Sequence, residues 1–355
     1  MRFTRLAIGF ALTSLLIMTA GCRPSGEKTE SSLDLAPVKQ FLVTEISKLN
    51  SEAAILATDI ETYAEIIKSH DYNYEQAWAK DSVRLAELVT KNKASFIKAS
   101  THYELTEGIV AGVPVLADFD VWLDAGPSGE EDPAEARVWT LKLADGREFK
   151  NPGNIFHSIL EPALWGTNAE TSKLAVDLDQ NGTITYGESL GDAYLLVAIS
   201  AELNRAAAEL AQAVEAWEPS REDVFLALVT MIPTMKEYFG QWQLSYFITG
   251  DASQSQSFAA ISRLVDVQSI LTGLNLSYEA LSPDVQNVDE ALDQEIKAGF
   301  AELMAFVETV YAKEQTKTEL ISPEMANQFG VEAQELADAL TGKVAKAAGM
   351  LKIQL

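Results

Sequence analysis

Apolar residues recur at spacings of three and four along most of this chain, which is the signature of amphipathic helices. From Val38 to Ser69 the stripe is Phe41, Ile46, Leu49, Ala53, Leu56, Ile60, Tyr63, Ile66 and Ile67. Tyr72-Asn73-Tyr74 interrupts it, and a second long helix is predicted from Glu75 to Thr106, with Trp78, Val83, Leu85, Leu88, Val89, Phe96 and Ile97 on its stripe. Gly108, Gly112 and Pro114 end or kink that helix. Residues 124–135 are acidic and loop-like, and Val138–Phe149 reads as a small β-hairpin turning at Ala144-Asp145-Gly146. The second half predicts helices over 222–247 with a kink at Pro233, over 257–278, over 284–314, and over 323–351 with a break near Gly330. Long helices with short links make antiparallel bundles. The expected fold is all-α: an N-terminal bundle over 35–170 and a C-terminal bundle over 189–355.

The first residues depart from this pattern. Arg2 and Arg5 precede an apolar run, Leu6–Met18, that is too short to span a bilayer comfortably. Thr19-Ala20-Gly21-Cys22 follows and looks like a bacterial lipobox, which implies a signal peptide over 1–21 and a lipid anchor on Cys22. Cys22 is the single cysteine of the chain, so an intramolecular disulfide is excluded. Residues 22–34 read as a flexible tether. The expected location is the cell membrane, lipid-anchored and facing the periplasm. The formal net charge is −25, and loss of the two arginines in 1–21 takes it to −27. Such a body repels nucleic acid and anionic headgroups and attracts cations.

One twelve-residue segment carries a specific chemistry. Residues 177–188 read Asp-Leu-Asp-Gln-Asn-Gly-Thr-Ile-Thr-Tyr-Gly-Glu, the pattern of an EF-hand calcium loop. Asp177, Asp179 and Asn181 hold positions one, three and five. Gly182 supplies the turn, Thr183 its backbone carbonyl, and Glu188 two oxygens at position twelve. Thr185, at position nine, acts directly or through water, and Ile184 is expected to pack inward. Gly166-Thr-Asn168 breaks the segment that leads into the loop, so a regular helix is expected only on the far side, from about Ser189 to Val214. The loop would sit at the junction of the two bundles and hold Ca²⁺.

A second cluster centres on Phe156-His-Ser-Ile-Leu-Glu-Pro-Ala-Leu-Trp-Gly166. His157 and Glu161 are four apart and share a face if this stretch is helical, although Pro162 requires a first turn or a kink there. Imidazole with carboxylate suits a transition metal. Further ligands are sought at the end of the second helix, in Glu104 and Glu107, with His102 beside them. His70 and His102 otherwise read as surface residues, and Trp242 and Tyr246 as core.

These residues carry a resemblance to the imelysin family. Its Gly-x-His-x-x-Glu motif is matched by His157 and Glu161, followed by Ala163-Leu-Trp-Gly166. Tyr103-x-x-Thr106-Glu107 and Ser262-Arg-Leu-Val-Asp-Val-Gln-Ser-Ile-Leu-Thr-Gly273 are similar too. Two departures stand out. Ile155 replaces the glycine, and the spacing to Glu161 is one residue longer. The resemblance implies two helical bundles and a part in iron acquisition or storage, and the combination with a lipobox and a calcium-like loop resembles membrane-associated members linked to growth under iron limitation. Calcium and iron are the cofactors implied. The competing readings are a metal-dependent peptidase, against which stands the lack of His-Glu-x-x-His, and a non-catalytic adaptor for a metal-transport permease.

Overall fold

The computed structural model describes residues 34–253, 255–316 and 320–355. The signal peptide, Cys22 and all but the last residue of the tether lie outside the described residues. Helix α1 (Ala36–Ser69) starts with Pro37 in its first turn, where a missing N–H costs nothing. Its stripe from Val38 to Ile67 is buried along the whole length. Asp71 and Tyr72 turn the chain with positive φ, and Asn73 Oδ1 caps α2 (Tyr74–Val110) by accepting from Gln76 N at 2.9 Å. Helix α2 kinks at Asp81 and runs one turn further than its periodicity predicts. A short α3 (Ala117–Leu123) follows. The predicted hairpin forms as β1 (Thr140–Lys142) against β2 (Glu148–Lys150), antiparallel, with Leu141 opposite Phe149.

A π-helical turn, Phe156–Leu160, runs into α4 (Glu161–Trp165), with Pro162 in the first turn of α4. Next come β3 (Ser172–Ala175) and β4 (Ser189–Gly191), an antiparallel pair. The calcium-like loop therefore spans a β-hairpin, not a helix–loop–helix. The helix expected from Ser189 begins at Ala193 as α5 (Ala193–Ala216), because Ser189 and Leu190 pair with β3 and Asp192 Oδ1 caps the helix from Tyr194 N and Leu195 N. In that hairpin Ile184 is 53% exposed and does not pack inward.

Helix α6 (Arg221–Met231) passes through a 3₁₀ turn at Pro233 into α7 (Met235–Leu244), followed by a single turn, α8 (Tyr246–Thr249). Trp242 is core, whereas Tyr246 is half-buried and stacks on Tyr186 at 3.7 Å. Helix α9 (Arg263–Val288) starts six residues later than predicted and absorbs Pro283 near its end, so the next helix is α10 (Glu290–Thr316). The last, α11 (Pro323–Met350), is unbroken at Gly330. That glycine lies where α11 approaches α7: a Cβ there would meet Phe239 Cβ at 2.9 Å.

Helix α1 packs along α2 and α5, α2 along α9, α9 along α10, α10 along α11, and α11 along α7. The α2–α9 contact is close. A Cβ on Gly273 would stand 2.1 Å from the carbonyl oxygen of Leu105. Gly273→Ala must push the two backbones apart, and a loss of about 2 kcal/mol or more in urea unfolding is expected. An unchanged midpoint would show that the helices separate freely here.

Candidate metal centre

The α2–α9 contact carries a polar core. Glu104 and Glu107, three apart on α2, face it together with Asp120 and Asp124 from α3 and its C-terminal end. His157 arrives from the π turn and Glu161 from the first position of α4, and Arg263 and Asp266 from the first turn of α9. All eight side chains are buried. His102, two positions from Glu104, lies on another face of α2 and pairs with Glu45 Oε2 at 2.8 Å.

The π turn is held at its start by Asn154, whose Oδ1 accepts from His157 N at 2.7 Å and Ser158 N at 3.1 Å. Glu161 N closes the wide turn on Phe156 O. His157 Nδ1 then meets Glu161 Oε2 at 2.9 Å. The four-residue separation of His157 and Glu161 is thus spanned by a turn wider than an α-helix. Glu161 is fully committed: its oxygens also accept from Phe258 N (2.8 Å), Ala259 N (2.7 Å) and Ala260 N (2.7 Å). This is why the helix predicted from residue 257 starts only at Arg263: the amides ahead of it bind a carboxylate instead of each other. Phe258 takes φ +54°, a strained conformation for a bulky residue, and lays its ring 4.3 Å from that of His157. Ser257 Oγ donates to His157 O at 2.8 Å.

Arg263 reaches Glu104 Oε1 and Asp266 Oδ2 at 3.2 Å and Asp124 Oδ2 at 3.5 Å. On the far side Tyr238 donates to Glu107 Oε1 (2.8 Å) and Tyr103 to Asp120 Oδ1 (2.6 Å). Six carboxylates therefore surround two cations, His157 and Arg263, out of contact with water. The imbalance shows in their pKa values. Burial, with repulsion from Asp266 and Asp124, pushes Glu104 up; burial and Asp124 do the same to Glu107, and burial with Glu107 to Asp120. Burial lifts Asp266 to about 7, despite the pull of Arg263. Burial alone would lower His157, but Asp124 and Glu161 outweigh it and hold the imidazolium to about 10. Asp124 is the exception among the shifted carboxyls: His157 and Arg263 overcome its burial and keep it below the usual range.

Two sets of donor atoms converge, each within 4.8 Å: Glu104, Asp124 and His157, and Glu107, Asp120 and Asp124. Asp124 belongs to both. Glu107 Oε2, both oxygens of Asp124, and His157 Nε2 have no aligned hydrogen bond, although His157 Nε2 stands 2.9 Å from Asp124 Oδ1. Buried carboxyl oxygens that lack an aligned hydrogen bond are what a bound cation would satisfy. The residues fit a metal ion.

Of the residues named from sequence, His157, Glu104 and Glu107 meet here, while Glu161 is spent on His157 and the amides of 258–260. Asp120, Asp124, Arg263 and Asp266 were not singled out. Their signal was present: Asp120 and Asp124 are four apart, and Arg263 and Asp266 three apart within a quoted stretch.

The loop over 177–188 forms a second, exposed cluster. Oxygens of Asp177, Asp179 and Glu188 lie within 4.8 Å of one another. Gly182 has φ +91°, and its N–H donates to Asp177 Oδ2 at 2.8 Å. Asn181 N donates to Asp177 Oδ1 and Asp179 Oδ1, and Asn181 Oδ1 accepts from Thr183 N. Glu188 Oε1 accepts from Leu178 N and Asp179 N and Oε2 from Thr185, and the Thr185 amide is the leading cause of its lowered pKa. Lys93, from α2, donates to Gly187 O.

None of the described helices is long and apolar enough to cross a membrane. A comparison with protein-family models matches residues 42–346 to the model described as imelysin and designated Peptidase M75. No curated protein matches the chain.

Proposed function

The chain belongs to the imelysin family, and on that premise we propose that it is a metal-binding protein of the cell envelope serving iron acquisition or storage. The observation that carries this reading is the buried surplus of carboxylates, with oxygens of Glu107 and Asp124 left without aligned partners. Iron would be the cargo, held by Asp124 with Glu107 and Asp120 or with Glu104 and His157. Ferrous and ferric ions both accept oxygen and imidazole donors. Calorimetric titration of the protein with Fe²⁺ and Fe³⁺ tests it. Binding at micromolar concentration or tighter is expected, and Asp124→Asn, which alters the donor common to both sets, should weaken it by more than roughly 100-fold, since outer-shell losses alone cost 10–100-fold. Absence of any bound ion would overturn the reading.

The same proposal gives the 177–188 loop a calcium ion, coordinated by Asp177, Asp179, Asn181, the Thr183 carbonyl and Glu188. Calcium at about 100 times its dissociation constant should add about 2.7 kcal/mol to unfolding. Glu188→Gln should remove that gain. Identical unfolding curves in calcium and in chelator would refute the site. A lipid anchor on Cys22 would place the body at the membrane facing the periplasm, within reach of a metal-transport permease.

The family's designation as a peptidase favours a second reading, hydrolysis at the same centre. Peptide cleavage that disappears with chelator and in His157→Ala would support it over simple binding.

A further inference from the structure

The two donor sets of the centre share one carboxylate, Asp124. A carboxylate common to two sets is the arrangement that bridges paired metal ions. Here one of the two sets already contains a cation of the protein's own. Arg263 points its terminal nitrogens at Glu104 Oε1, Asp266 Oδ2 and Asp124 Oδ2, and its Nε donates to Gln241 Oε1 at 2.9 Å. The faces of the guanidinium are covered by the rings of Tyr238, at 4.6 Å, and Phe258, at 4.7 Å. Each nitrogen is engaged and the plane is stacked, so moving the group aside means giving up all of these contacts. A guanidinium also keeps its charge at every accessible pH.

The other set differs in kind. Glu107, Asp120 and Asp124 offer oxygen only. The phenols of Tyr238 and Tyr103 each orient one carboxylate through a single oxygen, and Glu107 Oε2 has no aligned hydrogen bond. None of the cations seen at the centre pairs with Glu107 or Asp120.

Building on the metal-binding reading above, we propose that Arg263 stands in for a second metal ion: the centre takes one ion, in the oxygen-only set of Glu107, Asp120 and Asp124, and the guanidinium permanently occupies the Glu104 side. The chain is thereby a mononuclear binder with a preference for hard cations, built on a frame that could hold two. Removing the charge of Arg263 while keeping a polar side chain opens the second position.

Crystals of the wild-type protein and of Arg263→Gln, soaked in Mn²⁺, test this through anomalous difference maps, in which an ion in the 177–188 loop is told apart by its position. The wild type should show one peak at the centre, against Glu107, Asp120 and Asp124. Arg263→Gln should show two, on either side of Asp124, and Arg263→Lys, which keeps a cation, one. A wild-type peak between Glu104 and His157, two wild-type peaks, or a single peak in a folded Arg263→Gln would overturn the assignment while leaving metal binding intact. No peak at the centre in the wild type would overturn metal binding and this assignment with it. If Arg263→Gln does not fold, the wild-type peak position decides.

Discussion

Glu161→Ala should lower the unfolding free energy by about 4 kcal/mol, within the 3–5 expected when one partner of a buried ion pair is removed. The reason lies in the number of groups that depend on this carboxylate. It accepts from the amides of Phe258, Ala259 and Ala260 and from His157 Nδ1. Each buried donor left without an acceptor costs roughly 1–3 kcal/mol, and the sum is reduced because the 255–262 segment can loosen towards water. That loosening would also release Phe258 from its left-handed backbone conformation and its contact with His157. Glu161→Gln keeps one acceptor oxygen but turns an amide donor towards other donors, so a loss of about 2 kcal/mol is expected. Urea titration followed by circular dichroism reads both, and hydrogen exchange at residues 258–260 should quicken in parallel. A loss below about 1 kcal/mol in Glu161→Ala would mean that the segment is held by something else.

The metal-free protein should be most stable in mildly acid solution and should lose several kcal/mol between pH 5 and pH 10. The sign follows from the shifted groups of the centre. Asp266 titrates at about 7 in the fold against an ordinary 3.8, so the folded chain holds a proton that the unfolded chain has released, and stability falls as pH rises between those values. His157 titrates at about 10 against 6.5. Its stabilisation is complete below 6.5 and is lost as pH climbs through 10, a contribution on the order of 5 kcal/mol. Asp124, lowered, acts oppositely: its contribution is present above its ordinary value of 3.8 and is lost as pH falls through its folded value. Glu104, Glu107 and Asp120, all raised, add to the decline with rising pH. Urea midpoints at pH 5, 7 and 9 in chelator measure it. Repulsion across the acidic surface works in the same direction but is screened by salt, whereas the buried centre is screened much less. A decline that persists in 0.5 M salt and is shallower below pH 7 in Asp266→Asn would place it in the centre. Stability that rises from pH 5 to pH 9 would contradict the arrangement.

Helix positions were legible because periodicity is local. The stripe of α1 from Val38 to Ile67 reads directly off the chain and is buried except at Phe41, which is half-buried. Pro233 marks its kink for a local reason as well: the ring removes a donor wherever it sits. Pro283 carries the same local signal, yet α9 continues through it, since a helix packed along α2 and α10 tolerates one missing bond near its end. Gly330 looks like a break and is instead a point of contact, because what it meets is Phe239, ninety-one positions away in the chain.

The centre divides along the same line. Sequence alone determined the helical class, the hairpin at 140–150, the nearness of His157 to Glu161, and the resemblance to the imelysin family, since each rests on residues a few positions apart or on a motif read in order. Tertiary structure alone decided that Glu161 serves the amides of 258–260, that β-strands flank the 177–188 loop, and that Asp124 and Arg263 stand among the other buried charges. Those outcomes depend on which distant segments are packed together and deprived of water. Buried charge and unmet hydrogen-bonding groups act over a few ångströms of space, and the order of residues along a chain does not state which of them will be neighbours there.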